Sequence, residues 1–259
     1  MSVFIASADR PLLERLGLVD FESLWNLQLD AVDEPNTGRG GWSSVFRLDL
    51  DDRSFYLKRQ SNYLTHTLHY PLGEPSFCRE FRNIRRYQKL GIPALQAAFY
   101  GERRFNGERQ AILMTRALDG WTELYTLLLE WSGLPAAERS AILYACGRLA
   151  RTLHKAGQMH GCFYPKHIFL QAQGDVYQAQ LIDLEKTRPV LFGKRDLIKD
   201  LEPLLRRCHV WSDDEQREFL AAYLKAAVDS PQVETWSVLL GRRGLHKRFV
   251  QHRDQNEIH

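Results

Sequence analysis

The stretch that decides the fold is His160-Gly161-Cys162-Phe163-Tyr164-Pro165-Lys166-His167-Ile168-Phe169-Leu170, followed a hairpin's length later by Leu181-Ile182-Asp183-Leu184-Glu185. A polar loop runs into an apolar strand, the chain turns at Gly174-Asp175, and a second apolar strand returns to Asp183. This pattern predicts a polar loop presented beside a carboxylate at the end of a β-hairpin. We interpret the rest of the sequence around these two features.

Size and composition indicate a compact globular protein. The chain has 259 residues, of which 44% are hydrophobic and 26% are charged, enough for a substantial core in one large domain or in two lobes that share a cleft. The net charge of +3 is too small to indicate nucleic acid as a partner, although Lys and Arg crowd the last 20 residues. Anionic small molecules remain compatible with this charge.

Cysteine usage and hydropathy indicate the compartment. The four cysteines are far apart and form no CxxC pair, so we expect neither a disulfide framework nor a zinc site. The N-terminus lacks a basic region followed by an apolar core, and the most apolar later run, Leu124 to Trp131, is short. These features predict no signal peptide and no transmembrane helix, and they favour a cytoplasmic protein.

The first third of the chain contains a glycine-rich segment. Residues 1–34 predict an irregular or partly helical lead-in whose leucines and aromatic residues are available for packing. Gly38, Gly40 and Gly41 then precede a β-rich run, and closely spaced glycines leave backbone N–H groups free to approach an anion. The segment suits a hairpin that covers phosphates, but an ordinary hairpin loop has the same pattern.

A lysine and a glutamate follow this hairpin. Ser54 to Lys58 alternates as a strand, and Lys58 is predicted at its end, where a lysine that binds nucleotide phosphates would lie. A helix is predicted from Pro75-Ser76 to Gly91, with Glu80 on the edge of its apolar face. This placement favours a Lys58–Glu80 ion pair. Alternatively, Glu80 pairs with arginines of its own helix on a solvated face.

The next segments predict a change from strands to helices. Strands are predicted from Leu95 to Glu102 and from Arg109 to Thr115, joined by the hairpin signal Asn106-Gly107. A polar crossover at Arg116–Gly120 then predicts a boundary between a β-rich lobe, residues 1–117, and a helical lobe, residues 118–259. The helices of the second lobe are predicted at Trp121–Trp131, Pro135–Lys155, Arg195–His209 and Asp213–Val228, with a final basic helix at Thr235–Arg253.

The order of these features is that of protein kinases. More narrowly, through Tyr164–Phe169 and Ile182–Lys186, the chain resembles the lipopolysaccharide kinase family of bacterial Kdo and heptose kinases, and most closely its InaA-type branch. The resemblance covers roughly residues 36 to 225. It implies an α+β, two-lobed protein-kinase-like fold with a small β-rich N-lobe and a helical C-lobe.

The resemblance also implies ATP and Mg²⁺ as cofactors, bound at the lobe interface, and a sugar of the lipopolysaccharide inner core as the acceptor of phosphate. When the roles of the family's residues are carried over position by position, the glycines cover the phosphates and Lys58 holds the α- and β-phosphates. Glu80 fixes Lys58, and Met114 is one of the nucleotide-binding residues. Asp183 takes the metal. His167 falls where kinases place a second metal ligand, although a His in such a loop is as often an internal hydrogen-bond anchor.

The sequence departs from active kinases at the catalytic base. Aligning His160-Gly161-Cys162 on the kinase His-Arg-Asp puts Cys162 where the catalytic Asp belongs, and Glu185 replaces the Gly of Asp-Phe-Gly. Loss of a base lowers a rate by about 10²- to 10⁴-fold, which leaves room for a slow enzyme. Glu185 or His160 could take the proton instead. Cys162 fits a small residue in a packed turn better than a nucleophile.

Two functions therefore remain open. The first is an ATP-dependent kinase that phosphorylates the inner-core glycolipid, or another small anionic acceptor, at the cytoplasmic face of the inner membrane. The second is a pseudokinase that binds nucleotide in a stress response. Only 74 residues follow Glu185, and they contain no Ala-Pro-Glu segment, which disfavours a protein substrate. Nucleic acid is not expected, and the basic C-terminal helix is a candidate for peripheral membrane contact.

Overall fold

The computed structural model describes residues 3–38, 40–67 and 70–241. The described chain forms two compact units. The first contains the residues up to Asp119 together with the short segment Asp183–Glu185, and the second contains Gly120–Ile182 and the residues from Lys186 onward. This division lies two residues after the predicted boundary at residue 117, and it assigns Asp183–Glu185 to the first unit, which the sequence did not indicate.

The first unit is built on antiparallel strands. They are β1 (Val3–Ile5), β2 (Asn36–Gly38), β3 (Gly41–Leu50), β4 (Arg53–Ser61), β5 (Leu64–Thr67), β6 (Tyr70–Pro75), β7 (Ala97–Phe105) and β8 (Glu108–Arg116). Six of them form one sheet in the order β1-β7-β8-β4-β3-β2, and β5 pairs only with β6. The predicted hairpin turn at Asn106-Gly107 is confirmed, and both residues have positive φ, as a tight hairpin turn requires.

Two short helices, α1 (Arg10–Arg15) and α2 (Phe21–Trp25), cover one face of this sheet. Leu13, Phe21 and Leu24 are buried there against apolar residues of β4, β7 and β8, so the predicted partly helical lead-in is confirmed. Leu16, which the sequence also offered for packing, is 38% exposed because α1 has ended before it. The sequence did not predict β1 or the β5–β6 hairpin.

Helix α3 (Ser76–Leu90) has the predicted boundaries. It begins directly after Pro75 and ends at Gly91, which adopts the left-handed conformation with φ of 66° that favours glycine at this position. Phe77, Glu80, Ile84 and Tyr87 form its buried face. Leu90, whose helical spacing also suits that face, is exposed, and Tyr87 is the last buried residue of the helix.

The second unit is mainly helical. Its helices are α4 (Leu124–Leu129), α5 (Ala136–Lys155), α6 (Lys194–Arg207) and α7 (Asp213–Leu224), and residues 231–241 are also helical. Its short strands are β9 (Thr122–Glu123), β10 (Gln158–Met159), β11 (Ile168–Gln173), β12 (Val176–Leu181) and β13 (Arg188–Pro189). The β11–β12 pair confirms the predicted hairpin, and Ser212 with Glu215 forms a capping box at the start of α7.

The predicted basic C-terminal helix falls largely outside the described residues. Helical residues 231–241 include its beginning, and residues from 242 onward lie beyond the described part of the chain. Among the residues that the structure describes, no helix combines the length and the apolarity needed to cross a bilayer.

A buried carboxylate organises the loop between β13 and α6. The Asp196 side chain, 2% exposed, accepts hydrogen bonds from the backbone N–H groups of Leu191 and Phe192 at 2.9 and 3.1 Å. Arg188 donates two further bonds to the same carboxylate at 2.9 and 3.0 Å. These bonds hold the loop of residues 190–193 in one conformation.

This carboxylate makes stability depend on pH. The hydrogen bonds from Arg188 hold the pKa of Asp196 well below its ordinary value of 3.8. Because the pKa of Asp196 is lower in the folded state, its carboxylate stabilises the fold above pH 3.8. This contribution to the unfolding free energy is lost as the pH falls below 3.8. We expect the difference in unfolding free energy between wild type and Asp196→Asn to be largest near pH 7 and to shrink by pH 3, as measured by urea denaturation. Exposed Asp214→Asn is the control, and a pH-independent difference would contradict this assignment.

Candidate functional site

The predicted ion pair between Lys58 and Glu80 is present. The Lys58 Nζ donates to both carboxylate oxygens of Glu80, at 2.7 and 3.0 Å. Glu80 is 3% exposed, so the alternative of a solvated Glu80 is wrong. Lys58 lies inside β4 rather than at the strand end that was predicted, because the strand continues to Ser61.

Three carboxylates are gathered near this one lysine. Burial raises the pKa of Glu80, and the pair with Lys58 lowers it. The negative charges of Asp183 and Glu185 also raise it, and the net result is a raised pKa for Glu80. The group therefore contains one basic side chain and three acidic ones, which leaves an excess of acidic groups. A divalent cation is the simplest species that would neutralise it.

Side chains of the first unit hold the Asp183–Glu185 segment in place. The Asn83 Nδ2 donates to the backbone oxygen of Leu184 at 2.7 Å, and the Thr65 hydroxyl donates to the Glu185 carboxylate at 3.1 Å. Asp183 itself has φ of 58°, a left-handed conformation that costs a non-glycine residue about 1–3 kcal/mol and concentrates at functional sites. Sequence reasoning missed Asn83, although its position three residues after Glu80 placed it on the inner face of α3.

The structure corrects the role given to Met114. In the β4–β8 pair, Leu113 lies opposite Lys58 and Met114 lies opposite Leu57. Directly opposed residues of paired strands share a face, and successive residues alternate. Met114 is therefore fully buried in the core beneath α1 and α2, on the face away from Lys58. Leu113 is the residue of β8 that lies directly opposite Lys58, on the same face of the sheet.

The glycine-rich segment forms the β2–β3 hairpin, with Gly38 opposite Gly41. Gly40 has φ of 80°, which favours glycine in the turn. A Cβ on Gly41 would lie 2.0 Å from the backbone oxygen of Ser61, so this glycine is required by the close approach of β4. The tight turn and the close strand packing account for these two glycines before any ligand is considered, and their contact with phosphates stays a prediction.

In the second unit, Asp200 of α6 anchors the backbone of the His160 loop. Its carboxylate accepts from the N–H groups of His160 and Gly161, each at 2.7 Å, and contacts His154 Nε2 at 3.1 Å. Tyr223 of α7 contacts His154 Nδ1 at 2.9 Å, which extends the chain of hydrogen bonds. Sequence reasoning missed Asp200, although its spacing from Leu197 and Leu204 on α6 placed it on the inward face.

The His160 ring has the geometry of an anchor. The ring is buried, its Nε2 lies 2.9 Å from the carbonyl oxygen of Ile182, and its Nδ1 accepts from the N–H of Cys162 at 3.3 Å. Since a carbonyl oxygen can only accept, the Nε2 carries the proton and the Nδ1 lone pair is already used. These contacts correct the suggestion that His160 takes a substrate proton.

The other residues of the loop are also packed. Cys162 is 6% exposed, as expected for a small residue in a packed turn. His167 is 7% exposed, and its Nδ1 donates to the carbonyl oxygen of Cys162 at 2.8 Å. This bond anchors the ring inside the loop. A histidine that binds a metal through its other ring nitrogen usually makes the same kind of bond. Asp183 belongs to the first unit and His167 to the second, so their joint role as metal ligands stays a prediction.

The residues present fit a magnesium nucleotide better than a protein-only metal site. No group of three or more His, Cys, Asp or Glu side chains able to hold a metal occurs in the described ranges. Mg²⁺ does not need one, because it is commonly held by one or two carboxylates, with phosphate oxygens and water completing its shell. Asp183 in the negative group around Glu80 provides such a carboxylate.

This chain is similar to curated proteins and to solved structures, including the three that follow. The protein InaA of Escherichia coli K12 is 29% identical over 194 residues, which cover 71% of this chain and 89% of InaA. The lipopolysaccharide core heptose(I) kinase WaaP of Pseudomonas aeruginosa is 27% identical over 117 residues, which cover 42% of this chain and 44% of that kinase. A solved structure of WaaP in complex with acyl carrier protein aligns with a TM-score of 0.68 at 21% identity, covering 95% of this chain and 99% of that chain.

These likenesses establish fold and family. The structural alignment confirms the predicted α+β, two-lobed protein-kinase-like fold. The profile of the lipopolysaccharide kinase (Kdo/WaaP) family matches residues 22–223, most of the chain. The resemblance drawn from the His160 loop and the Asp183 segment is thereby confirmed, and the chain belongs to the lipopolysaccharide kinase (Kdo/WaaP) family.

Proposed function

We propose that the protein is an ATP-dependent phosphotransferase whose acceptor is a sugar hydroxyl of the lipopolysaccharide inner core. The observation that carries the proposal is the buried Lys58–Glu80 pair in the electrostatic field of Asp183 and Glu185. Phosphoryl transfer depends mainly on positioning and charge neutralisation, and these four residues supply both. Family membership and the likeness to a core heptose kinase support the acceptor class.

Each of the four residues has a distinct role in this proposal. Lys58 binds the nucleotide phosphates, and Glu80 holds the ammonium in position. Asp183 holds Mg²⁺, which when bound neutralises charge on the phosphate oxygens. Glu185 accepts the proton of the sugar hydroxyl. The oxygen of that hydroxyl bonds to the γ-phosphorus, and the bond between the γ-phosphorus and the bridging β-phosphate oxygen breaks, which releases ADP.

The loop that contains Cys162 favours a second candidate, a pseudokinase that binds ATP without transferring phosphate. Cys162 stands where active kinases have the catalytic Asp, and both ring nitrogens of His160 are engaged in hydrogen bonds. Nucleotide binding through Lys58 and Asp183 would persist in such a protein. The two candidates therefore differ in phosphate transfer and agree on magnesium-dependent ATP binding.

The test is transfer from labelled ATP to deacylated inner-core oligosaccharide. We expect wild type to transfer phosphate, and the rate of Glu185→Gln to be lower by about 10²-fold. This is near the lower end of general-base effects, because phosphoryl transfer depends more on positioning and charge neutralisation than on a base. Glu185→Gln keeps an acceptor for Thr65, so the variant should still bind ATP, as measured by calorimetry. We also expect Cys162→Asp to raise the rate relative to its neutral control Cys162→Asn.

The outcomes separate the candidates. Transfer by Glu185→Gln at the wild-type rate would refute Glu185 as the base. Magnesium-dependent ATP binding with no transfer by wild type would favour the pseudokinase. Absence of ATP affinity in the wild type would overturn both.

A further inference from the structure

An exposed apolar pair lies in the loop between β13 and α6. Leu191 and Phe192 are neighbours in sequence, and their exposed fractions are 69% and 66%. Single exposed apolar residues are ordinary on soluble proteins, whereas adjacent large ones mark interaction surfaces. Nothing in the proposed transfer reaction uses them.

This loop is held in shape before any partner binds. The backbone N–H groups of both residues donate to the buried carboxylate of Asp196, which is itself bound by Arg188. The Phe192 carbonyl oxygen also accepts from the N–H of Arg195 at 3.2 Å. A preordered loop loses little conformational entropy on docking, so its apolar side chains are effective anchors.

The sequence around the pair is rich in basic residues. Between positions 186 and 199 the sequence has one carboxylate, the buried Asp196, and a larger set of basic residues: Lys186, Arg188, Lys194, Arg195 and Lys199. Glu185 and the buried Asp200 flank this segment, and with both included its net charge is +2. Lys194 and Arg195 are exposed and follow the apolar pair after Gly193, in the first turn of α6. A binding partner for this surface must therefore offer an apolar region next to negatively charged groups.

We propose that residues 191–195, the end of this loop and the first turn of α6, dock on an anionic lipid bilayer. Leu191 and Phe192 would enter the boundary between headgroups and acyl chains, while Lys194 and Arg195 face lipid phosphates. An apolar insertion joined to basic residues is the two-part combination that stable peripheral binding requires. Two apolar side chains are too few for a protein interface of about 800 Å² per partner, whereas a bilayer needs no such area. Because docking needs no nucleotide, the inference is independent of phosphate transfer.

The test is flotation of the full chain, without ATP, with vesicles of phosphatidylglycerol and phosphatidylcholine or of phosphatidylcholine alone. We expect wild type to bind the anionic vesicles, and Leu191→Ser/Phe192→Ser to weaken partitioning by about tenfold or more. Leu129→Ser is the matched control, since Leu129 is also 69% exposed, and it should bind as wild type does. Lys194→Gln/Arg195→Gln should weaken binding most at low salt, whereas exposed Lys155→Gln should not.

A second measurement locates the inserted residue. Phe192→Trp should be quenched by brominated anionic lipids, and Leu129→Trp should not. Absence of wild-type binding, equal loss in the Leu129→Ser control, full binding by the Leu191→Ser/Phe192→Ser variant, or no quenching of Phe192→Trp would each overturn the proposal. Transfer to soluble oligosaccharide should be the same in wild type and Leu191→Ser/Phe192→Ser, so failure of docking and failure of transfer are distinguishable.

Discussion

Lys58→Met is expected to lower phosphate transfer by about 10²- to 10³-fold, the scale for losing one charged donor to the transferring group. Lys58 is the cation of the site, and its Nζ lies 2.7 Å from Glu80. Removing it takes away the phosphate contact and also leaves three carboxylates together without their ammonium, which repels an anionic nucleotide. Both effects act in the same direction.

The measurements for Lys58→Met are calorimetric ATP affinity with Mg²⁺ and transfer from labelled ATP. Lys89→Met, a change of the same type at an exposed position of α3, should behave as wild type. The double variant Lys58→Met/Glu80→Gln should lose less than the sum of the two single losses, because the two residues act as one pair. Wild-type ATP affinity in Lys58→Met would argue against the assigned phosphate site.

Asp200→Ala is expected to lower the unfolding free energy by about 3–5 kcal/mol, the range for breaking a buried charged network. The change removes the acceptor of two buried backbone N–H groups, those of His160 and Gly161, and each orphaned donor costs about 1–3 kcal/mol. The loop should then lose its fixed conformation, and transfer should fall with it.

Urea denaturation measures this loss of stability. Asp175→Ala, at an exposed turn position of the same unit, is the control and should change the unfolding free energy by less than about 0.5 kcal/mol. Asp200→Asn keeps one carbonyl oxygen as an acceptor and should be intermediate. Equal stability of Asp200→Ala and Asp175→Ala would show that the two backbone bonds contribute little.

Much of the fold was predictable because its signals are local. Pro75 and Gly91 bound α3, Asn106-Gly107 makes the hairpin turn, and alternating apolar residues produce β11 and β12. The inward position of Glu80 followed from helical spacing alone. The β5–β6 hairpin was missed, since its strands pair only with each other and Leu72 is 89% exposed, so no alternation between buried and exposed residues marked them.

The sequence by itself determined the kinase order of residues and the resemblance to the family, and it favoured the pairing of Lys58 with Glu80, because spacing along helices and strands sets which side chains share a face. Only the tertiary structure decided which face of β8 accompanies Lys58, that Asp183–Glu185 belongs to the first unit, and that His160 is an anchor. Strand register and hydrogen-bond partners depend on residues distant in sequence, as Asp200 is from His160. Local pattern carries no information about such partners, and burial then fixes which groups keep a proton or a charge.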